Sequence, residues 1–193
     1  DFMTPKSATS LIFRNAVLGL ARDHAFARAL VNSGRLSVPS FLTESRLNTP
    51  DVAAFAGDIA PGAPMDDAPI EEDDKIGWLL DRVGNRFVAL VFVDDPASVG
   101  PAQARAMGEL ATAPVPVEVV LVSPQGGAGP QNLRVWQDRA GRYAERYDAR
   151  AGTTYLIRPD QHVAARWRAF DAQAVCAALA RAIGNTESGG AAR

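Results

Sequence analysis

The first thirty residues carry apolar side chains at helical spacing. Apolar positions recur every three or four residues between Leu11 and Leu30, which predicts a helix with one broad apolar face. Thr4-Pro5 fits its start, because threonine can cap a helix and proline is tolerated in the first turn. Asn32-Ser33-Gly34 fits its end. We expect this face to pack on something outside the chain or on a partner subunit.

The pattern weakens over the next forty residues. Residues 35–75 contain several prolines and show little periodicity, which is typical of a connector or a functional loop. We therefore place a domain boundary near Gly57. Residues 1–57 are predicted to form a helix and connector, residues 58–184 a second domain, and residues 185–193 a disordered tail.

Two short segments in the second domain are apolar at almost every position. Phe87–Val93 and Val117–Val122 predict strands that are buried on both faces. Between them, Asp94-Asp95-Pro96 begins a predicted helix that continues to about Ala111. A strand, a helix and a strand without a hairpin turn predict a parallel pair with a crossover helix.

The C-terminal part predicts a hairpin and a helix. Thr153–Ile157 and His162–Trp167 flank a turn at Arg158–Gln161, whose proline and aspartate favour a tight turn. A helix from Asp171 to Ile183 ends at Gly184. Upstream, a strand is expected at LRVW and a short helix in RAGRYAERYDA. This order predicts an α/β, thioredoxin-like domain, in which helices flank a central mixed sheet.

Composition narrows the possible partners and the location. The net charge of -2 and the pI near 5.7 give no electrostatic reason to bind nucleic acid or an anionic membrane. No apolar run approaches the roughly 20 residues that span a bilayer, and the N-terminus does not resemble a signal peptide. One cysteine among 193 residues excludes an internal disulfide and agrees with a reducing compartment. We expect a cytoplasmic protein.

The sequence lacks the chemistry of a thioredoxin-like oxidoreductase. The reactive thiolate of such enzymes lies at the start of the helix after the first buried strand, and DDPASVGPAQA has no cysteine there. Cys176 lies inside the terminal helix, where we expect it to be a small buried hydrophobe. We also expect Trp78, Trp136 and Trp167 to lie in the core or in an interface.

Other motifs resemble functional sites only superficially. The loop at residues 126–130 lacks the third glycine and the helix of a dinucleotide fingerprint, which favours a surface loop. Gly57-Asp58 is similar to a flavin motif, but its proline-rich surroundings favour a structural turn. The acidic residues lack EF-hand order, which favours a solvated loop; they are Asp66, Asp67, Glu71, Glu72, Asp73 and Asp74.

The two histidines complete the list of candidate groups. His24 is expected near the end of the first helix, where a positive imidazolium suits the helix dipole. His162 is expected to be a half-exposed residue of a hairpin arm. They lie too far apart in the sequence to match the ligand spacing of a zinc site, and neither has an evident nucleophile partner. We therefore predict no catalytic, cofactor-binding or metal residue in this chain.

Three stretches in one order carry a family resemblance. They are ARDHAFARALVNSGRLSVPSFLTESRLNTPD, then APGAPMDDAPI leading to WLLDRVGNRFVALVF, and TTYLIRPDQHVAARW. Together they resemble the C-terminal region of class A FAD-dependent aromatic hydroxylases, of the phenol hydroxylase and 3-(3-hydroxyphenyl)propionate hydroxylase type. The resemblance covers most of the 193 residues.

The resemblance implies that the chemistry lies upstream of this chain. In the family, a flavin domain precedes a thioredoxin-like domain without redox cysteines, and residues 1 to about 34 would end the flavin domain's helical part. The parent protein would use FAD, NAD(P)H and O2 to hydroxylate a phenolic ring. The family's FAD motifs have no match here, so this chain would hold no cofactor. Its expected partners are its own flavin domain and a second copy in a homo-oligomer.

A second interpretation remains open. A stand-alone, cysteine-free thioredoxin-like module would bind a protein partner through its groove and the first helix. A start codon close to Asp1, and a first helix packed on its own domain, would favour that module. The missing cysteine disfavours a thiol peroxidase.

Overall fold

Two compact units make up the chain, Asp1–Pro39 and Ser40–Arg193, in a computed structural model that describes residues 4–31 and 39–185. Most of the predicted C-terminal tail and the helix-stop signal at Asn32-Ser33-Gly34 lie outside the described residues. Residues 40–57 belong to the second unit, whereas the sequence pattern places the domain boundary near Gly57. That residues 1–57 end a flavin domain stays a prediction.

The first unit contains two helices instead of one. Helix α1 spans Ala8–Asp23 and helix α2 spans Ala25–Val31. The cap is Ser7, whose side chain accepts a hydrogen bond from the Ser10 N–H at 3.1 Å, so the predicted start at Thr4-Pro5 is wrong by about a turn. His24 interrupts the helix in an extended conformation and caps α1, as its place near the helix end predicted.

The second unit is built on a seven-stranded mixed sheet with the order β2-β1-β5-β4-β3-β6-β7. The strands are β1 Pro69–Glu72, β2 Lys75–Trp78, β3 Phe87–Phe92, β4 Val117–Ser123, β5 Arg134–Gln137, β6 Thr154–Ile157 and β7 Val163–Trp167. The helices of this unit are α3 Leu79–Arg82, α4 Pro101–Ala111, α5 Arg142–Arg146 and α6 Ala172–Ala182.

The predicted thioredoxin-like plan is confirmed. Strands β3 and β4 run parallel, and α4 connects them. Strands β6 and β7 form the antiparallel hairpin before α6. Helix α4 begins later than predicted, because Pro96–Ser98 makes a separate 3-10 turn and Pro101 then starts the helix.

The central strands are buried on both faces, as their almost continuous apolar runs predicted. Val88, Leu90 and Phe92 of β3 face one cluster of buried side chains. It contains the aromatic cluster, which consists of Tyr143 of α5, Tyr147 directly after α5 and Tyr155 of β6. Ala89 and Val91 face the other, which includes residues of α4 and α6. Alternate residues of a strand point to opposite faces, so the sheet needs a cover on each side.

A hairpin lies where the sequence predicted an irregular connector. Strands β1 and β2 pair antiparallel, and the turn between them consists of Asp73 and Asp74 at φ 50° and 59°. The acidic cluster is therefore not one solvated loop, because Glu71 and Glu72 are strand residues. Acidic side chains are uncommon in strands, and their abundance hid this element from the sequence pattern.

Cys176 is exposed, so the prediction that it is buried is wrong. The buried residues of α6 are Val175, Ala178 and Leu179, which share one helix face at spacings of three and four. Cys176 is one position away from Val175, a rotation of about 100° around the helix axis, and therefore points outward. Ile183, which follows α6, is also exposed.

A strap of residues 48–59 covers part of the sheet. The Thr49 N–H donates to the Ala164 carbonyl at 2.9 Å, which attaches the strap to the edge strand β7. Phe55 packs against the aromatic cluster and lies edge-on to Tyr155 at 6.0 Å between ring centroids. The strap thus supplies apolar cover that a helix often supplies in an α/β fold.

Two arginines at the end of β7 anchor the strap. Arg166 is 6% exposed; its Nη2 donates to Asp51 Oδ2 at 2.7 Å and its Nη1 to the Ile59 carbonyl at 2.7 Å. Arg168 Nη2 donates to the Ala54 carbonyl at 2.7 Å. Both guanidinium groups also lie over the Phe55 ring, 4.3 and 3.6 Å from its centroid, a favourable cation–π arrangement.

Charged side chains also link four parts of the sheet end. Glu72 on β1 pairs with Arg82 and with Arg134 of β5, whose Nη1 donates to Glu118 Oε1 of β4 at 2.7 Å. Glu118 also pairs with Arg86, which precedes β3. Burial alone would raise the pKa of Glu118, but its hydrogen bonds with Arg134 and Arg86 outweigh burial and lower it.

Replacing the strap's anchor should destabilise the second unit. We expect Asp51→Ala to lower the free energy of unfolding by about 3 kcal/mol, because it leaves the buried Arg166 guanidinium without its carboxylate. Urea unfolding of the whole chain, followed by circular dichroism, measures this change. The matched control is Asp58→Ala, an exposed strap aspartate, with an expected change below about 0.5 kcal/mol. Equal losses in the two variants would contradict the anchoring role.

The charged network should make stability depend on pH. Because the folded pKa of Glu118 is lowered, its contribution is present above the unfolded pKa and disappears as pH falls through the folded pKa. We expect Glu118→Gln to lower the free energy of unfolding by about 1 kcal/mol at pH 7 and by much less near pH 3. Urea unfolding at both pH values tests this, with Glu109→Gln, an exposed pair with Arg105, as control. If Glu118→Gln lowered the free energy of unfolding equally at both pH values, the pH-dependent contribution of Glu118 would be contradicted.

Candidate functional site

The place of the redox thiol in a thioredoxin-like fold is the segment after β3. Here Asp95 Oδ1 accepts a hydrogen bond from the Ala97 N–H at 2.8 Å and caps the turn Pro96–Ser98. Gly100 then precedes α4. The only cysteine of the sequence is Cys176, on α6. The segment after β3 contains no cysteine to supply the thiolate, so it cannot carry out thiol–disulfide exchange.

The structure brings together the acidic turn and the glycine-rich loop, which the sequence left separate. A cavity of about 300 Å³ lies between Glu71–Asp74 and Gly126–Ala128. Two of its carboxylates are already in ion pairs, Glu71 with Arg139 and Glu72 with Arg134. Within residues 4–31 and 39–185, no three His, Cys, Asp or Glu side chains are arranged to hold a metal ion.

The glycine-rich loop does not fit the pyrophosphate of a dinucleotide. A dinucleotide site needs a helix that opens directly after the glycines, with free N–H groups toward the phosphates. Here the 3-10 turn Pro130–Asn132 follows and leads directly into β5. A Cβ atom at Gly129 would lie 2.3 Å from the Leu133 carbonyl oxygen. Glycine is therefore required here because the backbone at Leu133 passes close to it, and not because of a ligand.

The two histidines lie in different units and at structural positions. His24 caps α1 and is exposed. His162, half-buried at the start of the second hairpin arm, lies with Nε2 3.0 Å from the Ser40 carbonyl oxygen and Nδ1 3.1 Å from that of Asp160. The prediction of a half-exposed hairpin residue is confirmed, and these carbonyl contacts give His162 a role in holding residue 40 to the hairpin.

The edge strand β2 exposes two large apolar side chains. Ile76 is 81% exposed and Trp78 is 53% exposed, and they share a face because they are two residues apart. Residues 49–63 hydrogen-bond to β7 at the opposite edge, whereas β2 ends the order of the described strands. An open apolar edge favours association. The sequence pattern does not indicate this surface, because the acidic residues of β1 and its turn hide the hairpin.

The three tryptophans have different environments. Trp136 on β5 is fully buried in the core, and Trp167 is partly buried against the helical side of the sheet. Trp78 is largely exposed on β2, which makes it a candidate interface residue. In the first unit, large apolar residues of both helices are also exposed, including Ile12, Phe13 and Phe26.

None of the described helices is both long enough and apolar enough to cross a membrane. The described residues thus offer no redox centre, metal cluster or dinucleotide cradle. What they offer are surfaces: the open edge of the sheet, the exposed helical face of the first unit, and clefts at the end of the sheet.

Comparison with solved structures gives the same fold. The flavin-dependent monooxygenase PieE, whose structure contains FAD and substrate, matches 90% of this chain with 32% of its own, at 21% identity and a TM-score of 0.56. Aklavinone-11 hydroxylase, solved with FAD and aklavinone, matches 72% of this chain with 25% of its own, at 21% identity and a TM-score of 0.53. This chain therefore spans about a third or less of those proteins.

A thioredoxin-like enzyme shares the fold as well. A thiol peroxidase from Chromobacterium violaceum matches 67% of this chain with 91% of its own, at 13% identity and a TM-score of 0.50. This similarity confirms the thioredoxin-like architecture.

Comparison by sequence identifies the family. No curated protein matches the chain, but the family model described as the HcaD C-terminal domain matches residues 69–182. The match extends from β1 to the end of α6 and so covers all seven strands of the described sheet. The resemblance to the C-terminal region of FAD-dependent hydroxylases is confirmed in family and fold, and this chain belongs to the HcaD C-terminal domain family.

Proposed function

We propose that this chain is the non-redox, thioredoxin-like C-terminal domain of an FAD-dependent monooxygenase. The parent enzyme would hydroxylate a phenolic or aromatic substrate with NAD(P)H and O2, and would act in the cytoplasm. The family match over residues 69–182 carries the proposal. The presence of FAD in the PieE and aklavinone-11 hydroxylase structures supports it.

The flavin would be held by a part of the parent protein outside this chain. When bound there, FAD supplies the oxygen chemistry, whereas the protein positions the substrate and excludes water. The glycine-rich loop of this chain does not fit the pyrophosphate, because β5 follows it where a helix would be required. We therefore assign no step of the reaction to residues of this chain.

The role of this domain is structural and includes contact between subunits. Its open strand β2 has a self-complementary pattern. If β2 of two copies pairs antiparallel with Gly77 opposite Gly77, Ile76 of each copy lies opposite Trp78 of the other. Apolar cross-strand pairs of this kind stabilise a sheet, and their burial removes the exposed edge from solvent.

A second candidate is a stand-alone protein-binding module. The exposed apolar residues of β2 favour it, because an edge strand can also accept an extended peptide from a different partner. The two candidates differ in the size of the native polypeptide and in the identity of the molecule on β2.

The native polypeptide should be much larger than 20.5 kDa. We expect intact mass spectrometry, after isolation with an antibody to this chain, to give a mass several-fold higher and bound FAD by absorbance. Deletion of residues 58–193 from that protein should change its oligomeric state, thermal stability or flavin retention. A native mass near 20.5 kDa would overturn the monooxygenase assignment and favour the module.

The subunit contact can be tested by changing β2 alone. We expect Ile76→Thr combined with Trp78→Thr to raise the dimer dissociation constant of the native protein at least about tenfold, since two buried apolar pairs are lost. Analytical ultracentrifugation measures the constant. Val52→Thr, at an 86% exposed strap position, is the control and should leave it unchanged. If the β2 variant dimerises as tightly as this control, β2 is not the contact.

A further inference from the structure

An amphipathic pocket lies at one end of the sheet, away from the redox position. It has a volume of about 340 Å³ and lies between the second half of α4 and the first residues of β4 and β5. Its apolar walls include Met107 and Ala111 of α4, Val119 of β4 and Leu133. This volume is within the range of small-molecule sites, which combine apolar walls with a few polar groups.

The polar groups of the pocket carry an excess of positive charge. Arg86 and Arg134 line it together with one carboxylate, that of Glu118. The wider network adds Arg82 and Glu72, so three guanidinium groups share two carboxylates. The remaining charge favours an anion, and guanidinium is well suited to a carboxylate.

Arg86 is the better placed of the two arginines to bind a ligand. Its Nε donates to Glu118, and its Nη2 donates to the Arg82 carbonyl at 3.3 Å. Its Nη1 has no hydrogen-bond partner among the described residues. Arg134, in contrast, uses Nε, Nη1 and Nη2 on Glu72 and Glu118. Arg86 therefore retains donors that can face a ligand.

Gly108 is the second observation at this pocket. It lies inside α4 and lines the pocket, and a Cβ atom built on it would meet nothing within 4 Å. Glycine inside a helix costs about 1 kcal/mol relative to alanine. Neither a neighbouring atom nor a positive φ requires glycine here. Gly108 therefore leaves that part of the pocket wall without a side chain.

We propose that this pocket binds a small amphipathic carboxylate with a short aliphatic chain. The chain lies between α4 and the sheet, against Met107 and Leu133, and the carboxylate lies at Arg86. The walls are aliphatic and thioether side chains, which suit a flexible alkyl chain. This site is distinct from the subunit contact on β2 and requires neither a flavin nor a thiol.

Octanoate and octanamide serve as the matched probes, because they differ in charge and little in size. We expect octanoate to cause saturable NMR shifts of the Met107, Gly108 and Leu133 amides of the 193-residue chain. Octanoate should bind roughly tenfold more tightly than octanamide, because charge-assisted hydrogen bonds are stronger than neutral ones. Equal affinities, or no saturation up to roughly 10 mM octanoate, would overturn the proposal.

Two variants locate the ligand. Arg86→Gln should weaken octanoate binding roughly tenfold and leave octanamide binding unchanged, whereas Arg105→Gln, an exposed α4 control, should change neither. Gly108→Ala should weaken binding of both probes while raising Tm, because its methyl group takes up space along the pocket wall and alanine favours the helix. The control is Gly19→Ala in α1, where a Cβ atom also meets nothing. A Gly108→Ala chain that binds octanoate unchanged would place the ligand elsewhere and overturn the assignment.

Discussion

A sheet whose central strands are apolar on both faces must be covered on both sides. In this protein, β3 and β4 contribute alternate residues to two separate clusters of buried side chains. Helices α4 and α6 cover one side. The other side is covered by α5, α3 and the strap, which brings Phe55 and Ile59 to the aromatic cluster. Without both covers, the apolar runs that define the strands would face water.

The strap is a long irregular segment, so it needs fixed attachment points. The backbone N–H and C=O groups of such a segment do not pair with one another, so they form hydrogen bonds with other parts of the protein. Arg166 and Arg168 supply these partners at the carbonyls of Ile59 and Ala54, and Asp51 balances the charge of Arg166. One residue type thereby satisfies backbone groups, pairs with a carboxylate and packs on an aromatic ring.

The fold keeps the framework of a redox domain and lacks its chemistry. In a thioredoxin-like oxidoreductase, the helix after the first central strand stabilises a thiolate. Here the same place holds an aspartate-capped turn, followed by a helix that starts with proline. The surfaces for which we propose functions lie elsewhere, on the open β2 edge and in the Arg86 pocket.

The sequence by itself determined the core and showed that the redox position has no cysteine. Phe87–Val93 is apolar throughout and Val117–Val122 is apolar except at Glu118, which specifies buried strands because alternate residues of a strand point to opposite faces. The Pro159-Asp160 turn specifies the hairpin, and the missing cysteine is visible directly.

Tertiary structure decided the features that depend on contacts between distant residues. The β1–β2 hairpin forms although its acidic residues are poor strand formers, because Arg82, Arg134 and Arg139 neutralise their charge. Residues 48–59 are attached to the domain by partners about a hundred positions away, chiefly Arg166, Arg168 and the Ala164 carbonyl. The exposure of Cys176 depends on which face of α6 meets the sheet. Local periodicity does not predict the hairpin, the attached strap or the exposed face of α6. Each of these depends on contacts with residues that are distant in the sequence and come close only when the chain folds.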